Sequence, residues 1–370
     1  MSYLIQEATM TELADAVREL AGNELTYTPA EMAALLREVY ATKPWTRPDG
    51  WPDYDGCIKR VGQADALYLT CMPEEDNSTV VFQISTVDGG QYQVEKGSVD
   101  SDGFTASETT LVDSGTSYSE DLGSDDEYVV FRLTAPDDAL YSFNFGTTSA
   151  ATSYPVVEIW GQVENLSVPA YGLSGSELKS VDILADSAAV AARAFRSCGA
   201  EYINVRRWNI APTTLQHMFY QCTNLATLDP GGWDTSSVKD MSQVFYHCLS
   251  LTELDLSSWE TGNATTLYYS FSGCTGMTSL NLGGWDVCNV TTMTGAFNGC
   301  SALVDFTPPK MYISFSLSSS SLLSDDSIQA VIDCLQEVDE TQTLTLHSTV
   351  KAKLTDEQIE TAEAKGWTIA

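Results

Sequence analysis

The segment LTELDLSSWETGNATTLYYSFSGC runs from Leu251 to Cys274. A near copy, MTSLNLGGWDVCNVTTMTGAFNGC, follows it from Met277 to Cys300. Cys222, Cys248, Cys274 and Cys300 recur at one fixed step, as do Phe219, Phe245, Phe271 and Phe297, and Trp233, Trp259 and Trp285. A unit this short cannot bury its apolar face alone, so a period of this length predicts stacked units. Working backwards, Ile203-Asn204-Val205 and Val181-Asp182-Ile183 align with Leu254-Asp255-Leu256, with Phe195 and Cys198 at the turn. The expectation is about six strands in one parallel ladder, with neighbours roughly 4.8 Å apart.

Alternation along each strand turns Leu, Ile or Val inward and the residues between them outward. One outward column reads Ser180, Tyr202, Thr227, Glu253, Ser279, Asp305, and the other Asp182, Asn204, Asp229, Asp255, Asn281, Thr307. The second is almost purely Asp or Asn. Such a row binds sugar hydroxyls, a cationic peptide or divalent cations, or else bonds to itself along the stack and blunts a flat sheet. The candidate ligand-binding residues are Asp182, Tyr202, Asn204, Asp229, Glu253, Asp255 and Asn281. The recurring Cys reads as a compact buried hydrophobe, with disulfides as the alternative. No C-x-x-C occurs, and His217, His247 and His347 sit at unmatched positions, so no metal or other cofactor is expected.

The unit L-x-x-L-D-L-S-x-W-(D/E)-T, continued to F-x-x-C, resembles the BspA-type leucine-rich repeat of bacterial surface proteins and mobile elements. The resemblance covers roughly residues 175 to 310. The layout as a whole resembles tail-associated, receptor-binding proteins of phages and prophages. The carriers of this second likeness are Glu12 to Arg18, Thr28-Pro29-Ala30-Glu31-Met32 and a Trp-Pro-Asp linker. Together the resemblances imply adhesion to a host or cell surface and bring no catalytic residues.

Residues 1–62 read as a helical anchor with a Pro/Trp linker. Leu13, Val17 and Leu20 lie at helical spacing, and Thr28-Pro29 opens a second helix. The hairpin's apolar stripe needs other virion or tail proteins, or another copy of the chain, as a partner. Residues 63–165 alternate over short runs such as Thr79 to Ile84 and Tyr128 to Leu133, which predicts an antiparallel β-sandwich. Residues 166–310 hold the repeats, and residues 311–370 an α/β capping unit with helices opening at Ser324 and Thr355. The expected fold class is therefore mixed: helix hairpin, antiparallel β-sandwich, leucine-rich repeat solenoid with a parallel strand ladder, and α/β C-terminal cap.

With 51 acidic against 18 basic residues, the net charge of −33 repels phosphate backbones and anionic lipid, so nucleic acid and membrane are not expected partners. Met1 to Glu7 lacks a basic n-region and an apolar h-region, so no Sec signal peptide is expected, and no apolar run is long enough to span a bilayer. Gly172-Leu173-Ser174-Gly175-Ser176 fails the nucleophile-elbow pattern, and no Walker A, Rossmann or H-E-x-x-H motif is present. The functional expectation is a non-enzymatic attachment protein on a phage tail, binding a bacterial surface glycan or protein through the outward strand face. The alternatives are a BspA-type cell-surface adhesin and a glycan-cleaving tail depolymerase, which needs only two carboxylates.

Overall fold

The computed structural model describes residues 66–71, 79–100, 103–122, 129–135, 140–144, 156–170, 172–175, 178–205, 208, 210–230 and 233–370. The expected helix hairpin and its linker lie outside the described residues. The first strands are β1 (Ala66–Cys71), β2 (Thr79–Thr86), β3 (Gln91–Asp100), β4 (Gly103–Asp113), β5 (Ser117–Asp121), β6 (Val129–Thr134), β7 (Leu140–Asn144), β8 (Val156–Val168) and β9 (Ser180–Val190). Alternation sets their faces: in β2, Val80, Phe82 and Ile84 are buried while Thr79, Val81 and Gln83 turn outward. Phe82 gathers Tyr118, Phe131 and Phe143 at centroid distances of 5.0, 6.3 and 6.4 Å. On the β3/β6 pair Glu95 lies opposite Arg132, which donates from Nε to Oε2 (2.6 Å) and from Nη2 to Oε1 (2.8 Å). This bidentate pair satisfies a carboxylate that burial would otherwise penalise.

These strands do not form an antiparallel sandwich standing apart from the repeats. Hydrogen bonding passes from β8 to β9 in parallel, from Glu158↔Ser180 to Val168↔Val190. With β10 (Tyr202–Asn204) and β11 (Thr227–Asp229), the order β11-β10-β9-β8-β1-β6-β3-β4, with β2, β5 and β7 off that path, makes one eleven-stranded mixed sheet. Its far edge consists of the first repeat strands, β10 and β11.

Nor do the repeats build a solenoid on one parallel ladder. β12 (Glu253–Asp255), β13 (Ser279–Asn281) and β14 (Asp305–Thr307) form a separate three-stranded sheet. β15 (Phe315–Leu317), β16 (Gln342–Leu346) and β17 (Trp367–Ile369) form another. The physical reason lies one residue past each three-residue strand. Within the middle sheet Leu256 N donates to Asn281 O (3.0 Å) and Leu282 N to Thr307 O (2.8 Å), extending the pairing. The same position after β11 is Pro230 and after β14 is Pro308. Proline has no N–H to give, and the ladder stops at both. The first stop leaves a trace in the core. Trp208, Trp233 and Trp285 donate from Nε1 to Ile183 O, Val205 O and Leu256 O, one residue past the Asp or Asn of the strand column in each unit. The equivalent acceptor for Trp259 is Pro230 O, and the buried Trp259 Nε1 has no hydrogen-bond partner.

The turns carry the continuity that the strands lack. Phe195, Phe219, Phe245 and Phe271 each donate their backbone N–H to the next unit, at Met218 O, Val244 O, Ser270 O and Ala296 O (2.8–3.2 Å). Isolated parallel bridges link Thr214, Asp240, Thr266 and Thr292 in succession. Inside, the five phenylalanines stack at 5.2, 5.5, 5.6 and 5.8 Å, and Trp233, Trp259 and Trp285 at 6.0 and 6.2 Å. The recurring thiols are free: Cys222, Cys248, Cys274 and Cys300 donate from Sγ to Phe195, Phe219, Phe245 and Phe271 carbonyls (3.0–3.2 Å). Each thiol thus occupies a carbonyl that would otherwise be buried with one fewer donor.

At the C-terminal end, α1 (Asp325–Cys334) is capped by Ser324, and α3 (Asp356–Ala364) by a capping box between Thr355 and Gln358. A short α2 (Ser348–Lys351) lies between them in sequence. α1 buries Ile328, Val331 and Ile332 in the hydrophobic core, which runs without interruption from Leu67 to Trp367.

Candidate functional site: the strand columns and the turn face

The strand columns assemble in two blocks. In the first sheet Tyr202 pairs with Ser180 and Thr227, and Asn204 with Asp182 and Asp229. In the second, Glu253 pairs with Ser279, Asp255 with Asn281, and Asn281 with Thr307. Asp229 and Asp255 belong to different sheets, and Asp255's partner in register is a carboxamide rather than a second carboxylate. Local chemistry accounts for Asp and Asn here. Asp255 Oδ1 accepts from Ser257 N (2.9 Å) and Asn281 Oδ1 from Gly283 N (3.1 Å), so each side chain closes the turn after its own strand.

A second surface, which periodicity did not single out, lies on the turns. Two residues before each buried phenylalanine stand Arg193, His217, Gln243, Tyr269 and Gly295; two residues after it stand Ser197, Gln221, His247, Gly273 and Gly299. All ten have positive φ, between 53° and 80°. A non-glycine residue in this left-handed region costs about 1–2 kcal/mol, and the later units meet the same geometry with glycine. Seven positions therefore retain a side chain where glycine fits without strain. Strain held in this way concentrates at functional surfaces.

These side chains touch from unit to unit. Arg193 Nε donates to His217 Nδ1 (3.4 Å) and its Nη2 to Gln216 Oε1 (3.3 Å), while Gln216 Nε2 donates to Asp240 Oδ2 (3.2 Å). His217 Nε2 and Gln243 Oε1 are 2.7 Å apart. Accepting at Nδ1 and donating at Nε2 fits only the neutral imidazole with its proton on Nε2. Burial pushes the His217 pKa below its usual value, and Arg193 and Arg196 push the same way, against the opposing bond to Gln243.

Beside this row the guanidinium of Arg196 lies 4.6 Å over Tyr220, Tyr220 stacks on Tyr246 at 4.9 Å, and Tyr246 on His247 at 4.3 Å. Tyr268 meets Tyr269 edge-on at 4.5 Å and is 44% exposed. The glycines serve as platforms: a Cβ on Gly273 would come within 2.4 Å of the His247 ring, and one on Gly295 within 2.8 Å of the Tyr269 ring. Two arginines and two of the three histidines thus share one face of a strongly acidic chain.

Stacked Tyr, Arg and His side chains are flat, amphipathic and already ordered, so they lose little entropy on contact with a partner. This is a composition suited to binding. Among the described residues no group of three or more His, Cys, Asp or Glu is disposed to hold a metal ion. No helix among them is long and apolar enough to cross a membrane.

Residues 191–307, which include the whole turn face, match the model of a family described as Mycoplasma protein of unknown function, DUF285. No curated protein and no solved structure matches the chain.

Proposed function

We propose that this chain is a non-enzymatic recognition protein that attaches its carrier to a bacterial surface, and that the turn face makes the contact. The carrying observation is the run of seven non-glycine residues held at positive φ, of which His247 belongs to the Arg196–Tyr220–Tyr246–His247 stack while His217 and Tyr269 meet Tyr220 and Tyr246. Tyr and Arg dominate the energetics of recognition surfaces, and the strained positions flank the stack on neighbouring residues. The carrier is a phage or prophage tail, with the N-terminal 62 residues as the attachment to other virion proteins and a bacterial surface glycan or protein as the ligand. A second reading, a BspA-like adhesin on the cell itself, draws on the family match, since that family is associated with BspA-like surface repeat proteins.

The test is binding of the labelled full chain to intact cells and isolated envelopes. Arg196→Ala and Tyr246→Ala are each expected to weaken it about thirty-fold, the effect of losing an interface anchor worth about 2 kcal/mol. If Glu253→Ala, Asp255→Ala and Asn281→Ala abolish binding while the turn variants do not, the contact belongs to the strand face. Antibody to residues 170–310 distinguishes the carriers: signal on purified particles supports the tail, and signal on cells alone supports the adhesin. Release of reducing sugar ends by the purified chain would refute the non-enzymatic reading.

A further inference from the structure

Where the last turn of the repeats meets the C-terminal strands, an open groove of about 580 Å³ lies between residues 291–295, 313–316 and 342–345. Parallel pairing of Phe315 with Leu344 and of Ser316 with Thr345 sets its chemistry. Alternation buries Phe315, Leu317, Leu344 and Leu346, and leaves Ser316, Thr343 and Thr345 in the partly exposed rows. Ser314, Thr292 and Thr294 add three more hydroxyls, and the amide of Gln342 joins them. At one end the side-chain column stops at Gly295, which lines the groove and carries the Tyr269 ring against its α-carbon.

No ionisable side chain lines this groove, although the chain has 51 acidic and 18 basic residues. A cation finds no carboxylate in it. An anion finds no Lys or Arg and is repelled by the net charge of −33. A purely apolar segment would take water from the Thr343 and Thr345 hydroxyls without replacing its bonds, which costs free energy at each one. A ligand with many hydroxyls of its own meets every requirement, because each Ser or Thr both donates and accepts. Ser314 Oγ donates to Gln342 Oε1 (2.8 Å) and accepts from Thr343 N (2.9 Å), and Ser316 Oγ donates to Ser318 Oγ (3.0 Å) and accepts from Ser318 N (3.3 Å), which fixes their directions and leaves each one further acceptor site. Half-buried Ile313 supplies apolar surface at the groove for the C–H face of a sugar ring.

We propose that this groove binds an uncharged oligosaccharide. The site is separate from the turn face, and the proposal does not depend on which ligand that face takes.

The experiment uses the full chain and neutral tri- to hexasaccharides of hexoses and N-acetylhexosamines as probes, read by saturation-transfer NMR and calorimetry. Uronic-acid oligosaccharides of the same length serve as the charged comparison. Binding of a neutral probe is expected to stay within about two-fold between about 50 and 500 mM NaCl, because no ion pair is available for salt to screen. The double variant Thr343→Val, Thr345→Val keeps the β-branched shape and removes two hydroxyls; it is expected to weaken binding about ten-fold or more. An unchanged denaturation midpoint and retained cell binding by the turn face show that this loss is local. Binding of acidic probes alone, absence of any saccharide binding, or undiminished affinity in the folded double variant would each overturn the proposal, whatever the outcome at the turn face.

Discussion

Gln221 and Gly273 occupy one position in two successive-but-one units, with φ of 59° and 80°, and exchanging their residue types is expected to shift stability in opposite directions. Gln221→Gly removes a left-handed cost of about 1–2 kcal/mol and adds about 0.5–1 kcal/mol of unfolded-chain entropy, for a net stabilisation of about 0.5–1 kcal/mol. The exposed Gln221 side chain contributes little against this, since what anchors the residue is its backbone bond to Tyr246 O (2.7 Å). Gly273→Ala acquires the same left-handed cost and also pushes a methyl to 2.4 Å from His247 Cδ2. Relieving that contact moves the ring off Tyr246, a stack worth about 0.5–1.5 kcal/mol; less the about 0.5–1 kcal/mol of unfolded-chain entropy that alanine removes, the destabilisation totals about 1–2.5 kcal/mol. Urea midpoints at unchanged slope measure both changes. Adding His247→Ala to Gly273→Ala separates the terms, because with the ring gone only the backbone cost of the alanine remains. A destabilising Gln221→Gly, or a neutral Gly273→Ala, would refute the view that these positions hold side chains against backbone strain.

Pro230→Leu supplies the N–H missing after β11; its amide should exchange with solvent as slowly as that of Leu256, and fast exchange would mean that something other than the proline ends the sheet. The stability change should be small, since a new bond of about 1 kcal/mol is offset by about 0.4–1 kcal/mol of lost proline rigidity. In a thiol-labelling experiment on the folded chain, Cys288 should react first among the described cysteines, being exposed, while Cys198 and Cys300, whose pKa burial raises to about 12, react only on unfolding. Rapid labelling of Cys248 in the native state would contradict its buried bond to Phe219 O. For His217 the folded pKa lies below the ordinary 6.5, so the folded chain holds fewer protons on it than the unfolded chain. Its contribution is therefore full above about pH 6.5 and is lost as pH falls through the folded value. His217→Gln should flatten the stability–pH profile in that window, and an unchanged slope would show that the ring does not titrate there.

The period was legible because the residues that set it are identical from unit to unit: Phe, Trp and Cys each fill a buried site that tolerates no other shape. Capping at Ser324 and Thr355 was legible for a local reason, a side-chain oxygen three residues ahead of the amide that it meets. The ends of the ladder were also written in the chain, at Pro230 and Pro308, but at a phase that draws notice only when compared with Leu256 and Leu282. The pairing of β8 with β9 left no local signal, since strand partners far apart in sequence are chosen by packing. The strand columns were correctly aligned within each sheet, and Asp255 and Asn281 in them answer to the turns that follow. The turn face escaped because its outward residues differ in every unit. The usable clue was glycine at matching phase, Gly273, Gly295 and Gly299, which marks a left-handed backbone that Gln221, His217 and Arg193 must share.

The unbroken column of turn contacts also decides how the chain responds to force. Neighbouring units are joined end to end along the stack, so tension applied across its ends loads those junctions in series. The weakest gives way first and the rest hold. Each released unit of 26 residues can extend to about 85–95 Å in place of a rise of about 5 Å. The stack therefore lengthens in discrete steps, and each step also removes one unit's residues from the turn face.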